Sequence, residues 1–135
     1  MNARIVIDTD VYISRALRPA SVPAKAVDTA WLEATTLLSA PTWHELRIVL
    51  QRKKFERYID PETLGAFLRT VWLYAEQVSI PTPILACRDP RADKFLEVAV
   101  HGRADLILTG DADLLALHPY EGIAILAPAE FLQTH

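Results

Sequence analysis

The sequence predicts an α/β fold, with helices covering both faces of a mainly parallel sheet. Three observations carry that expectation. Short aliphatic runs that read as buried strands recur at Ala3–Asp8, Thr35–Ser39, Ala104–Thr109 and Gly122–Leu126. Between them lie longer stretches with apolar residues at helical spacing, most clearly Leu64, Phe67, Leu68, Val71, Ala75 and Val78. The two kinds of segment alternate along the chain, and strand–helix alternation builds a parallel sheet through helical crossovers.

Each element has its own signal. Ala3–Asp8 contains Arg-Ile-Val-Ile and runs into Asp-Thr-Asp, a strand entering a loop. Val11–Leu17 reads as a helix stopped near Pro19, and a second helix follows Pro23, with Ala24, Val27, Ala30 and Trp31 on one face. Thr35–Ser39 is the second strand. Pro41 and Thr42 open a helix from about Trp43 to Arg52, proline in the first turn losing no hydrogen bond. Asp60-Pro61-Glu62-Thr63 starts the longest helix, with Asp60 as N-cap and Pro61 at its first position. Trp72, Leu73 and Tyr74 widen its apolar stripe. Extra core contact is the plainer reading of that widening, and a dimer or partner surface the other. Pro81 and Pro83 mark a loop beside a weak strand at about Ile84–Cys87. Asp89-Pro90 repeats the cap-plus-proline signal and opens a helix through Ala99. Ala104–Thr109 is a strong strand, Gly110 a turn, and Ala112–Leu117 a short helix. Gly122–Leu126 is the last strand, with a terminal helical turn near Pro128–Leu132. Repeats, low-complexity tracts and linkers are absent, so residues 1–135 read as one domain.

Composition narrows the function classes. Of the 135 residues 51% are hydrophobic and 23% charged, an ordinary globular balance. No apolar run approaches the ~18 residues of a membrane span. The chain passes from Met-Asn-Ala-Arg straight into a strand pattern, so no signal peptide is expected. A lone Cys87 suits a small core position in a reducing cytoplasm. The net charge of −3 argues against gripping nucleic acid by bulk electrostatics. Any such grip must be local, and Arg47, Arg52, Lys53, Lys54 and Arg57 form the best run, with Arg15, Arg18 and Lys25 a second. Either run also reads as a solvated helix face.

Four separated acids stand where a strand ends or a helix begins: Asp8, Glu45, Asp93 and Asp111. Asp10 and Asp113 lie two residues beyond the first and the last. In parallel βαβ units these positions share one edge of the sheet, the edge where sites form. Gathered carboxylates repel: two unit charges about 4 Å apart cost ~4 kcal/mol at an effective dielectric of 20. Such a cluster needs a cation, and all-carboxylate ligation favours Mg²⁺ or Mn²⁺ holding waters and a substrate phosphate. The four His residues and single Cys show no zinc spacing. Taken singly, each acid has a plainer role. Asp8, Asp10, Asp111 and Asp113 could serve as turn or cap residues, and Asp93 could complement a helix N-terminus. Asp89 reads simply as an N-cap and Glu97 as a surface charge.

The stretches Ile5-Val6-Ile7-Asp8-Thr9-Asp10-Val11, Trp43-His44-Glu45-Leu46, Cys87-Arg88-Asp89-Pro90-Arg91-Ala92-Asp93-Lys94-Phe95-Leu96 and Leu108-Thr109-Gly110-Asp111-Ala112-Asp113-Leu114-Leu115 resemble the PIN domain family. Their nearest likeness is to the small prokaryotic toxins of toxin–antitoxin pairs (VapC-like ribonucleases). The likeness extends to the terminal Ile125–Leu132. It implies a three-layer α/β/α sandwich and Mg²⁺- or Mn²⁺-dependent endoribonuclease cleavage. By the same resemblance Asp8, Glu45, Asp93 and Asp111 form the catalytic, metal-binding quartet, Asp113 is a fifth metal ligand, and Thr109 supports a site carboxylate. A small antitoxin that enters the site and a homodimer are the implied partners. One departure stands out: Asp10 occupies a position where the family usually has Asn.

Two other readings compete. The Asp8-Thr9-Asp10-Val11 run also suits a haloacid-dehalogenase-like phosphatase, although that class gives Glu45 and Asp93 no role. A catalytically weak RNA- or protein-binding module of the same fold is the non-enzyme alternative, for which Asp10 leaves room.

Overall fold

A computed structural model describes residues 3–82, 84 and 90–134. Five strands, β1 (Ala3–Ile7), β2 (Ala34–Leu38), β3 (Ala75–Gln77), β4 (Leu106–Leu108) and β5 (Ala124–Leu126), form one parallel sheet in the order β3-β2-β1-β4-β5. The helices among the described residues are α1 (Thr9–Leu17), α2 (Val22–Glu33), α3 (Ala40–Leu50), α4 (Pro61–Tyr74), α5 (Asp93–His101), α6 (Ala112–Leu115) and α7 (Pro128–Gln133). Successive strand residues point to opposite faces, and β1 separates its side chains accordingly. Ile5 and Ile7 join a core with Val27, Leu46, Leu50, Phe67, Val71 and Phe131 from the helices α2, α3, α4 and α7. Val6 joins Leu37, Ile107 and Ile125 in a second core against α5 and α6. The result is a three-layer α/β/α sandwich. Gly102 lets the end of α5 close on the sheet, since a Cβ there would stand 2.7 Å from the Val98 carbonyl oxygen and 2.9 Å from Leu37 Cδ1.

Caps define the helices that matter most for the site. Ser39 and Thr42 form a reciprocal capping box at the start of α3, with Thr42 N donating to Ser39 Oγ at 3.3 Å and Ser39 N to Thr42 Oγ1 at 3.0 Å. Asp60 caps α4 as expected, its Oδ1 accepting from Thr63 N at 2.8 Å. The helix α1 starts at Thr9 rather than Val11, which brings Asp10 into its first turn. The helix α3 starts at Ala40 and ends at Leu50, earlier than the expected Trp43–Arg52.

Several expectations differ from the fold. The apolar stripe of the longest helix was read through Val78, but the chain leaves the helix at Tyr74 and Ala75–Gln77 pairs with β2 as an edge strand. Apolar spacing could not reveal this, because Ala75 and Val78 also suit the helical period. Trp72, Leu73 and Tyr74 are 45%, 80% and 52% exposed, and the core contact they add is marginal: Tyr74 stacks on Trp31 and Trp72 packs on Trp43, both at the edge of the first core. The helix expected from Asp89 begins instead with a 3-10 turn, Pro90–Ala92, ahead of α5. Most of the weak strand expected at Ile84–Cys87, and with it Cys87 and the Asp89 cap, lies outside the described residues. Glu97 is not merely a surface charge, since it accepts a hydrogen bond from Ile84 N at 3.2 Å.

Inside the first core Tyr12 is 1% exposed and packs against Trp31 and Phe67, with ring centroids 6.5 and 6.3 Å away. Neither the Tyr12 hydroxyl nor Trp31 Nε1 makes a well-formed hydrogen bond among the described residues. No helix among them is long and apolar enough to cross a membrane.

Candidate active site

The sheet order reverses direction at β1, whose neighbours are β2 and β4. Crevices that bind ligands form at the carboxyl ends of strands at such a switch point. A cleft of ≈ 230 Å³ opens there, lined by Asp8, Thr9, Asp10, Glu45, Val49, Arg52, Arg91, Ala92, Phe95 and Asp111. Segments far apart in sequence thus bring Asp8, Asp10, Glu45 and Asp111 to one place.

Asp8 sits at the base. Its backbone N donates to Leu108 O at 2.9 Å, which extends the β1–β4 ladder by one residue and fixes the Cα of Asp8 to the sheet. It occupies the N-cap position of α1 without making the side-chain cap bond, so capping does not account for its carboxylate. That carboxylate is buried, and Oδ2 accepts from Thr109 Oγ1 at 2.6 Å. Burial pushes the Asp8 carboxyl up to about 6, and the charges of Asp10 and Asp111 push in the same direction; the Thr109 hydrogen bond opposes them. Thr109 is fully buried and also accepts from Asp111 N at 3.0 Å, so one hydroxyl ties the ends of β1 and β4 together. The Asp111 side chain in turn accepts from Asp113 N at 2.9 Å as the cap of α6.

Glu45 projects from α3 with both oxygens engaged. Oε2 accepts from the hydroxyl of the buried Thr9, and Oε1 accepts from Lys94 Nζ at 2.9 Å. The Lys94 ammonium also donates to Arg91 O at 2.6 Å and lies 5.8 Å from the Phe95 ring centroid. The acidic cleft therefore already has cations around it: Lys94 on Glu45, and Arg52 and Arg91 on the walls.

Two expected members stand apart. Asp93 is buried in the first turn of α5, but Ala92 and Phe95 line the cleft and Asp93 does not. Asp93 lies close enough to Tyr120 for its charge to help raise that phenol, after burial and the nearby Glu121. Asp113 gives its backbone N–H to the Asp111 cap and is likewise not a lining residue. Among the candidate nucleic-acid residues only Arg52 reaches the cleft. Arg47 lies over the Trp43 ring at 5.4 Å, and Lys53 and Lys54 line a separate depression with Arg57 and Tyr58. Thr9, Arg91 and Lys94 had no identifying signal in the sequence, because their roles arise where α1, α3 and α5 meet.

The donor set suits a hard divalent cation. Mg²⁺ is commonly held by one or two carboxylates with water and substrate phosphate completing its octahedron. Asp8, directly after β1, and Asp111, the cap of α6 beyond β4, would meet that requirement, the Asp111 charge being near enough to help raise the Asp8 carboxyl. Among the described residues no group of three or more His, Cys, Asp or Glu side chains is arranged to hold a metal ion, so water and phosphate oxygens would have to supply most of its ligands.

Comparison with known proteins agrees with this architecture. The PIN domain family model matches residues 4–113. The uncharacterized protein MJ1680 of Methanocaldococcus jannaschii is 30% identical over 116 residues, covering 84% of this chain and 74% of the relative. In fold, the chain resembles VapBC2 from Rickettsia felis, solved bound to a DNA fragment from their promoter. The TM-score is 0.62 at 11% identity, covering 92% of this chain and 98% of the other.

Proposed function

The chain belongs to the PIN domain family, and from that premise we propose that it is a Mg²⁺- or Mn²⁺-dependent endoribonuclease, the toxin of a toxin–antitoxin pair acting in the cytoplasm. The observation that carries this reading is the cleft itself, where Asp8, Asp10, Glu45 and Asp111 meet between Arg52 and Arg91. Carboxylates at the base and guanidinium groups on the walls form the arrangement that phosphodiester hydrolysis asks for.

Asp8 and Asp111 would hold the cation, with Glu45 joining them through waters or directly. When bound, the cation supplies an activated water and neutralises charge on the phosphate. Thr109 keeps Asp8 turned toward the cleft, and Thr9 does the same for Glu45. Arg52 and Arg91 are placed to take the phosphate oxygens, guanidinium being suited to that geometry. Asp93 and Asp113 remain proposed members of the acidic set on the strength of the resemblance alone. Asp10 adds a further carboxylate at the mouth, in keeping with a cleft that demands a cation. The apolar groove of ≈ 590 Å³ lined by Trp43, Leu68, Trp72 and Leu73 supports the protein-partner part of the proposal, an antitoxin or a second copy. The dehalogenase-like reading has no comparable support, since Glu45 shares the cleft with Asp8 and the family match leads elsewhere.

The decisive experiment incubates single-stranded and structured RNAs with the protein in Mn²⁺ and in chelator, beside Asp8→Asn and Asp93→Ala. Cleavage should require the ion and disappear in Asp8→Asn. Cleavage that persists in Asp8→Asn would refute the site, and persistence in Asp93→Ala would remove Asp93 from it.

A further inference from the structure

Lys94 is an unexpected presence in a cleft built to attract a divalent ion. Its ammonium donates to Glu45 Oε1 at 2.9 Å and to Arg91 O at 2.6 Å, so it spans from α3 to the 3-10 turn ahead of α5. The Lys94 and Glu45 side chains are only 22% and 29% exposed, which shields the pair from solvent screening. Thr9 occupies the other oxygen of Glu45. Each oxygen of Glu45 thus already accepts one hydrogen bond, and of the two donors only Lys94 carries charge, so a cation that takes Oε1 as a ligand must contend with that ammonium.

We propose that Lys94 is an internal competitor for the divalent cation: it holds Glu45 in the ion-free protein and is displaced from Oε1 when the ion binds. The proposal rests on the reading of the cleft as a metal site. Two physical effects act in the same direction. A unit positive charge at bonding distance from a prospective ligand repels an incoming dication, and the ion pair itself must be broken. Lys94 thereby sets how much cation is needed to occupy the site, and it spares Glu45 the cost of an unpaired charge in the meantime. The ammonium keeps its second acceptor, Arg91 O, so displacement does not leave it without a partner.

The test is isothermal titration of the ion-free protein with MnCl₂, using wild type, Lys94→Met, Lys94→Arg and, as a control for net charge alone, Lys25→Met on the exposed surface of α2. Lys94→Met should bind Mn²⁺ about three- to tenfold more tightly, the factor expected for losing one partly screened pair. Lys94→Arg and Lys25→Met should stay near wild type. The Mn²⁺-induced rise in melting temperature should also be larger in Lys94→Met than in wild type, and Lys94→Gln gives the same comparison should the methionine variant fold poorly. Equal or weaker binding by the neutral variants, with wild type still binding, overturns the competitor role and leaves the metal site standing. Absence of binding by wild type overturns the metal site and the competitor role together.

Discussion

Asp8 carries the strongest electrostatic signature in the cleft, and its consequence is a dependence of stability on pH. Its carboxyl is held at about 6 in the fold, mainly by burial, against ~3.9 in an unfolded chain. The folded state then binds the proton more tightly. The stabilisation is complete below pH ~4 and is lost as pH rises toward 6, by about 2–3 kcal/mol in the absence of metal. Asp8→Asn has no such loss, so in chelator its stability advantage over wild type should grow by about that amount between pH 4 and pH 7, as read by denaturant melts at each pH. A flat difference would remove burial as the cause. Tyr12 offers a second test. Its buried hydroxyl makes no well-formed hydrogen bond among the described residues, with Thr36 and Trp31 its polar neighbours, so Tyr12→Phe should melt at the wild-type temperature or above, whereas a loss of ~1 kcal/mol would reveal a bond to one of them. At this scale the sequence was partly legible. Asp8, Asp111 and Thr109 were readable because each stands at a strand end, where topology decides position. Thr9 and Lys94 were not, since a hydroxyl and an ammonium acquire a role only when helices distant in sequence pack together. Asp93 was assigned to the cleft from its place at a helix start; it is buried in the first turn of α5, beside the lining residues Ala92 and Phe95.

The helix α3 delivers Glu45, and its start is secured by the box between Ser39 and Thr42. Ser39 is buried, so nothing from solvent can replace the lost acceptor. Ser39→Ala should cost ~1 kcal/mol, a fall of roughly 3–5 °C in melting temperature, and should weaken Mn²⁺ binding through looser placement of Glu45. Calorimetry checks the first effect and titration the second; an unchanged Tm would show the cap to be dispensable. Several elements announced themselves through caps and prolines, as at Pro41-Thr42 and Asp60-Pro61. The edge strand β3 did not. Three residues cannot display a period of two, and Ala75 continued the spacing of the helix before it.

In the whole molecule, the order β3-β2-β1-β4-β5 places the cleft at the switch beside β1, and the four acids there come from positions 8, 10, 45 and 111. The charges of Asp10 and Asp111 bear on Asp8, and a bound cation would relieve that repulsion. Mn²⁺ at about a hundred times its dissociation constant should add ~2.7 kcal/mol to stability, raising the melting temperature by several degrees in wild type and far less in Asp8→Asn. A wild-type melting temperature indifferent to Mn²⁺ and Mg²⁺ would contradict the proposed site.

The ladder bond from Asp8 N to Leu108 O has a mechanical meaning. Asp8 directly follows β1 and Asp111 caps α6 just beyond β4, and the Thr109 hydroxyl bonds to both, so the pair behaves like the fixed jaw of a vice. Glu45 belongs to a helix layered over the sheet, and helices slide on sheets more readily than strands slip past each other. Ions of different radius would then be accommodated by movement of the α3 jaw, with the sheet side acting as the gauge.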